Sequence, residues 1–121
     1  MFIRARNKPI EPTFPEKAWT KRDAFLLMGV NESATRESVQ AWCGFVCFKH
    51  SFVAFQFLSE WLTYTQDARI ITDSPSTLLP ETADFKENRH DQTVCSLLAK
   101  KWGVVMHDFP PEPVYNHHLL G

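Results

Sequence analysis

Glycine is scarce in this sequence. Only four occur in 121 residues, and none cluster. That excludes the Gly-rich loop with which a P-loop or dinucleotide-binding protein cradles phosphates. Cysteine is as scarce. Cys43, Cys47 and Cys95 make an odd count with no C-x-x-C spacing, so reduced, buried thiols are expected. An excess of either charge is missing too. Thirteen Lys and Arg stand against fourteen Asp and Glu, a net charge of −1. Electrostatics therefore gives no basis for binding nucleic acid or an anionic membrane. No apolar run approaches the roughly 18 residues of a membrane span. The N-terminus, MFIRARNKPIEPTFPEK, has no apolar core of the secretory type. The expected location is cytoplasmic, with no transmembrane segment and no nucleic-acid partner.

Aromatics and proline are plentiful. Ten Phe, four Trp and two Tyr bring the aromatic content to 13%, and eight prolines gather mostly at the two ends. KPIEPTFPEK and DFPPEPVYN should be extended and irregular. This divides the chain into a Pro-rich extended segment over 1–18, a folded domain over 19–106 and an irregular tail over 107–121.

Within the domain, WTKRDAFLLMG predicts a short helix over 21–28, with Thr20 and Asp23 close to a capping box and Gly29 as the stop. AWCGFVCF, nearly continuous in apolar residues, predicts a strand over 41–48 buried on both faces. Gly44 either weakens that strand or permits close approach of another group. SFVAFQFLSEWLTYT predicts a helix capped by Ser51. Phe55, Leu58 and Leu62 form its core stripe, widened by Val53, Phe57 and Trp61. IITDSPSTLLPETADFKEN carries turn signals and reads as a loop. The next helix buries Val94, Leu97, Leu98 and Trp102 and ends at Gly103, and VVMHDF is a short strand. The order α, β, α, loop, α, β, tail predicts an α/β layered domain, with few strands flanked by about three helices.

The polar residues concentrate in ENRHDQ, ahead of that last helix. One reading is a helix N-terminus, with Asn88 as cap and Asp91 favourably placed at the dipole. The other is a pocket edge, where Asp91 and Gln92 meet substrate hydroxyls or supply a base and Arg89 fixes an anion. His90-Asp91, His107-Asp108 and His117-His118 raise a metal site by ligand type, without the H-x-x-x-H spacing of a helical site. Asp67, Arg69 and Asp73 are expected to form solvated ion pairs.

WTKRDAFLLMG, the GFVCFK strand with the FLSEWLTY helix and its DARIITD exit, and NRHDQTVCSLLAKKWG follow one another in an order that resembles a known family. It is similar to the C-terminal half of GT-A-like nucleotide-diphospho-sugar transferases, the glycosyltransferases of capsular and lipopolysaccharide biosynthesis. The resemblance covers residues 19–103. It implies a partial GT-A-like layered domain supplying the acceptor side of an enzyme that moves a sugar from a nucleotide-sugar donor to a glycan. It further implies that Asp91 is catalytic or binds hydroxyls, and that Arg89, His90 and Gln92 bind substrate. His117 or His118 would complete the shell of a divalent metal, Mn or Mg. The D-x-D element that holds donor and metal in that family is missing from this sequence. The resemblance therefore implies a fragment that is inactive alone and binds no metal by itself. Its partner would be a missing N-terminal half or a second copy. The alternative is a non-enzymatic binding or assembly module that oligomerises through an apolar strand edge and an aromatic surface.

Overall fold

A computed structural model describes residues 2–4, 14–44 and 46–107. Six helices dominate them: α1 (Glu16–Trp19), α2 (Arg22–Leu27), α3 (Ser33–Glu37), α4 (Phe52–Thr65), α5 (Ala68–Ile71) and α6 (Asp91–Trp102). The strands are two or three residues long: β1 (Phe2–Arg4), β2 (Val46–Cys47) and β3 (Met106–His107). They form a ribbon in the order β2-β1-β3, with Ile3 opposite Val46 on one side and Met106 on the other.

The expected α/β layered domain, GT-A-like or otherwise, does not form. About half of the described chain is helical, and the ribbon is too small to make a layer. The segment over 41–48 shows why. The amide of Ala41 donates to Ser96 Oγ at 2.8 Å, and that of Cys43 to Gln92 Oε1 at 3.2 Å. A strand needs those donors for its neighbours. Here they are spent on side chains of α6, and among the described residues of the segment only Val46 and Cys47 form a ladder. Gly44 accommodates a close approach by the Trp42 ring, which a Cβ at that position would overlap.

Helix α6 is the centre of the molecule. Every residue from Thr93 to Ala99 is buried, so it is a core helix rather than an amphipathic surface one. Val94, Leu97 and Leu98 meet Phe25 of α2, Met28 just past its end, Phe57 of α4 and Ile70 of α5 in one cluster. Phe57 stands edge-on to Trp102, with ring centroids 5.4 Å apart, and to Trp61 at 6.3 Å, the arrangement aromatic quadrupoles favour. Gly103 ends α6 in the left-handed region at φ 69°, as its position in the sequence predicted.

Helix α4 is capped by Ser51, whose Oγ accepts from the Ala54 amide. Its packing keeps only part of the expected stripe: Phe57 is buried and Trp61 packs against the core. Ala54 and Phe57 face the core, while Phe55, Leu58 and Leu62 are exposed.

Two further expectations change. Thr20 and Asp23 do not form a capping box. Thr20 Oγ1 donates to Glu16, and the free amides of Arg22 and Asp23 are taken by Glu81 Oε2 and Ser76 Oγ from the long loop. The buried Asp23 carboxylate accepts in turn from the amides of Thr77 and Leu78. The irregular segment between α5 and α6 is thus held to α2 by polar contacts. Among the described residues, no helix is long and apolar enough to cross a membrane.

Candidate functional site

The loop after α5 and the start of α6 enclose a cleft of about 560 Å³, within the usual range for small-ligand sites. Lys21, Asp73, Ser74, Lys86, Arg89 and His90 are on its wall. A second cleft of about 250 Å³ adjoins it, lined by Phe14, Gln40, Trp42, Arg89 and Gln92. Arg89 belongs to both.

Asn88 sets this geometry. It does not cap α6. It is buried, its Nδ2 donates to the Ile70 carbonyl at 2.8 Å, and its Oδ1 accepts from Thr93 Oγ1 at 3.0 Å. With the chain anchored there, His90 occupies the position before α6 with φ 55° and ψ −116°. A side chain rarely adopts that conformation. It turns the imidazole toward the loop, where Nε2 lies 2.7 Å from Asp73 Oδ1. Arg89 extends over the Trp19 ring, 4.8 Å from its centroid, and Lys86 lies 5.6 Å from the same ring. Cation–π contact holds both cations by one aromatic ring. Trp19 Nε1 is buried without an acceptor among the described residues.

Lys21 is the cleft's innermost cation. It is buried, and its Nζ donates to the Ser74 carbonyl at 2.6 Å and reaches the Thr72 carbonyl and Ser74 Oγ at 3.4 Å. Among the described residues it has no carboxylate partner. Glu87 reaches Arg89 at 3.5 Å and Asp73 is engaged by His90, so part of the wall's negative charge is already matched.

The four residues singled out over 89–92 separate in space. Arg89 and His90 line the larger cleft, and Arg89 and Gln92 the smaller. Gln92 is fixed by its neighbours: Oε1 accepts from the Cys43 amide and Nε2 donates to Gln40 Oε1 at 2.8 Å. The Asp91 carboxylate is exposed, lines neither cleft and makes no hydrogen bond among the described residues. Asp67 and Arg69 pair as expected, at 2.7 Å, with Arg69 holding the Asp67 carboxyl below its ordinary range. Asp73 pairs with His90 instead.

His117, His118 and Asp108 lie outside the described residues. Among the described ones, no three His, Cys, Asp or Glu side chains come together as a metal donor set. The divalent ion implied by the resemblance finds no matching ligands there.

The chain matches no protein-family model, no curated protein and no solved structure.

Sequence reasoning passed over the buried polar hub behind the smaller cleft. Glu16, fully buried, accepts from Thr20 Oγ1, Gln40 Nε2, Ser96 Oγ and Lys100 Nζ at 2.6–3.0 Å. Gln40 then positions Gln92. Nothing in PTFPEKAW announces this role. The available signal was Ser96 and Lys100, two polar residues one turn apart beside the apolar Val94, Leu97 and Leu98.

Proposed function

We propose that this chain is the sugar-contacting, acceptor-side part of a nucleotide-sugar-dependent glycosyltransferase. The observation that carries the reading is the shared wall of the two clefts. Arg89 stands between a cleft lined by cations and the His90–Asp73 pair and a cleft lined by two aromatic rings and two amides. Aromatic faces take the apolar face of a sugar ring, and amides fixed in place bind its hydroxyls. Lys21, Lys86 and Arg89 offer charge to an anionic group, such as the leaving diphosphate or an acidic sugar. In this reading Gln92 and Gln40 position the hydroxyls, His90 exchanges a proton with the ligand through its ring, and Asp91 meets the acceptor from the solvent side. The resemblance over residues 19–103 supports the same assignment. Turnover requires donor- and metal-binding residues beyond those present here, and the expected compartment is the cytoplasm.

Titration of the labelled chain with hexoses, hexosamines and hexuronic acids, followed by amide NMR, tests the reading. Sugar binding in the millimolar range should shift the amides of Gln40, Trp42 and Gln92, and Arg89→Ala should abolish the shifts. Silence at these amides with every sugar class would overturn it. A second reading, the binding or assembly module, is favoured by the exposed face of α4. The apolar strand edge expected for it does not form, because the segment over 41–48 is not a strand along its length.

A further inference from the structure

Helix α4 has two apolar faces, and the core covers one. Phe52, Phe55, Leu58 and Leu62 lie on the other, 76%, 71%, 41% and 62% exposed. Their spacing keeps the four along one stripe of a helix about 21 Å long. The four side chains leave roughly 500 Å² of apolar surface in water, as much as a functional patch on a monomer presents. The polar residues within the stripe have turned inward. Ser59 Oγ donates to the Phe55 carbonyl at 2.9 Å and Thr63 Oγ1 to the Ser59 carbonyl at 2.8 Å. Both hydroxyls have partners without water, so this face can be dried at little polar cost.

Charge selects the occupant. Glu60 is the only charged residue in α4, and it accepts from Trp102 Nε1 at 3.1 Å. The stripe itself is neutral. It offers nothing to a charged partner, and it lacks the Lys and Arg with which interfacial helices hold lipid headgroups. A neutral apolar face is self-compatible across a two-fold axis, because no like charges meet there. With Gln56 and Gln66 as a polar rim, the stripe is the apolar centre of an interface somewhat smaller than the standard ~800 Å² per partner.

We propose that a second copy of this chain covers the stripe, with the two α4 helices antiparallel and crossing at Leu58 and Ser59. In that register Phe55 packs on Leu62 of the partner subunit, twice by symmetry, and small Ser59 at the axis lets the helices approach. The proposal is independent of the sugar reading.

Sedimentation equilibrium of the full chain over micromolar to submillimolar concentrations tests it. The expected species is a dimer, twice the 14.0 kDa chain mass. Phe55→Glu and Leu62→Glu should each weaken association by about a hundredfold while leaving the far-UV circular dichroism unchanged. Ser59→Cys should form an intermolecular disulfide with oxidised glutathione, which releases two equivalents of reduced glutathione per bond, and wild type should not. Should a glutamate variant misfold, Leu62→Gln and the Ser59→Cys cross-link still decide. A wild-type monomer throughout, a dimer indifferent to these substitutions, a dimer that Ser59→Cys fails to cross-link, or a monomer that binds phosphatidylcholine vesicles through this face would each overturn the proposal. Phe55→Glu should leave the sugar-induced shifts at Gln92 intact, so the two readings can fail separately.

Discussion

Glu16 and Lys100, 84 positions apart, meet at 2.6 Å in the interior. Both ions are desolvated, but they are not equally provided for. Glu16 keeps Thr20, Gln40 and Ser96 as donors if the lysine is removed. Lys100 would keep only the Val39 carbonyl if the carboxylate were removed. Breaking a buried pair costs about 3–5 kcal/mol when the remaining charge is uncompensated. Glu16→Leu should therefore cost about 4 kcal/mol and Lys100→Met about half as much. Urea denaturation of the two variants checks the order as well as the size.

The same pair makes stability depend on pH. Burial pushes the Lys100 ammonium below the ordinary lysine value of 10.5, and the attraction of Glu16 only partly offsets this. As pH rises, the folded state then gives up its proton before the unfolded state does. Between the lowered value and 10.5 the unfolded chain holds more protons, so stability increases with pH in that window. Measured against Lys100→Met, which lacks the titration, wild type should gain stability as pH rises toward 10.5. A flat or falling difference would refute the assignment.

What could be read from the sequence follows from how many physical constraints each segment carried. The end of α6 was legible because Gly103 is the residue a left-handed stop requires and Val94, Leu97 and Leu98 repeat at helical spacing. Ser51 was legible as a cap for the same kind of reason. The core face of α4 was not, since Phe55, Leu58, Leu62 and Ala54, Phe57, Trp61 make apolar stripes on both sides and periodicity alone cannot choose. The segment over 41–48 has strand composition, and what defeats the strand is the pair of α6 side chains, Gln92 and Ser96, that capture its amides. Arg89 and His90 were found at a cleft because their polar types gather at a helix start. Asp73 and Lys21 were not found, because they come together with His90 only through the fold of the loop between α5 and α6.

Asp23 holds that loop. Its carboxylate accepts from the amides of Thr77 and Leu78 at 2.9–3.1 Å, and the Asp23 side chain is buried beneath them. Hydrogen bonds to a charged acceptor are worth about 1.5–3 kcal/mol each. Asp23→Ala should cost about 3 kcal/mol and speed hydrogen exchange at Thr77 and Leu78 well beyond the change at Val94 in the core. Uniform acceleration across the chain would mean that the loop has no separate anchor.

His90 carries strain that a glycine would not. Its φ of 55° with ψ of −116° lies where a Cβ is crowded, at a cost of order 1–3 kcal/mol. The contact with Asp73 joins two side chains 47% and 76% exposed, and such a surface pair returns less than about 1 kcal/mol. His90→Gly should therefore raise stability by about 1 kcal/mol, even though glycine adds freedom to the unfolded chain. His90→Ala, which keeps the Cβ and loses the ring, should lower it. If the imidazole serves the cleft, both variants should lose sugar-induced shifts at Arg89, so the more stable protein would be the weaker binder. Thermal unfolding and the amide titration, run on the same three proteins, separate a strained functional residue from a merely tolerated one.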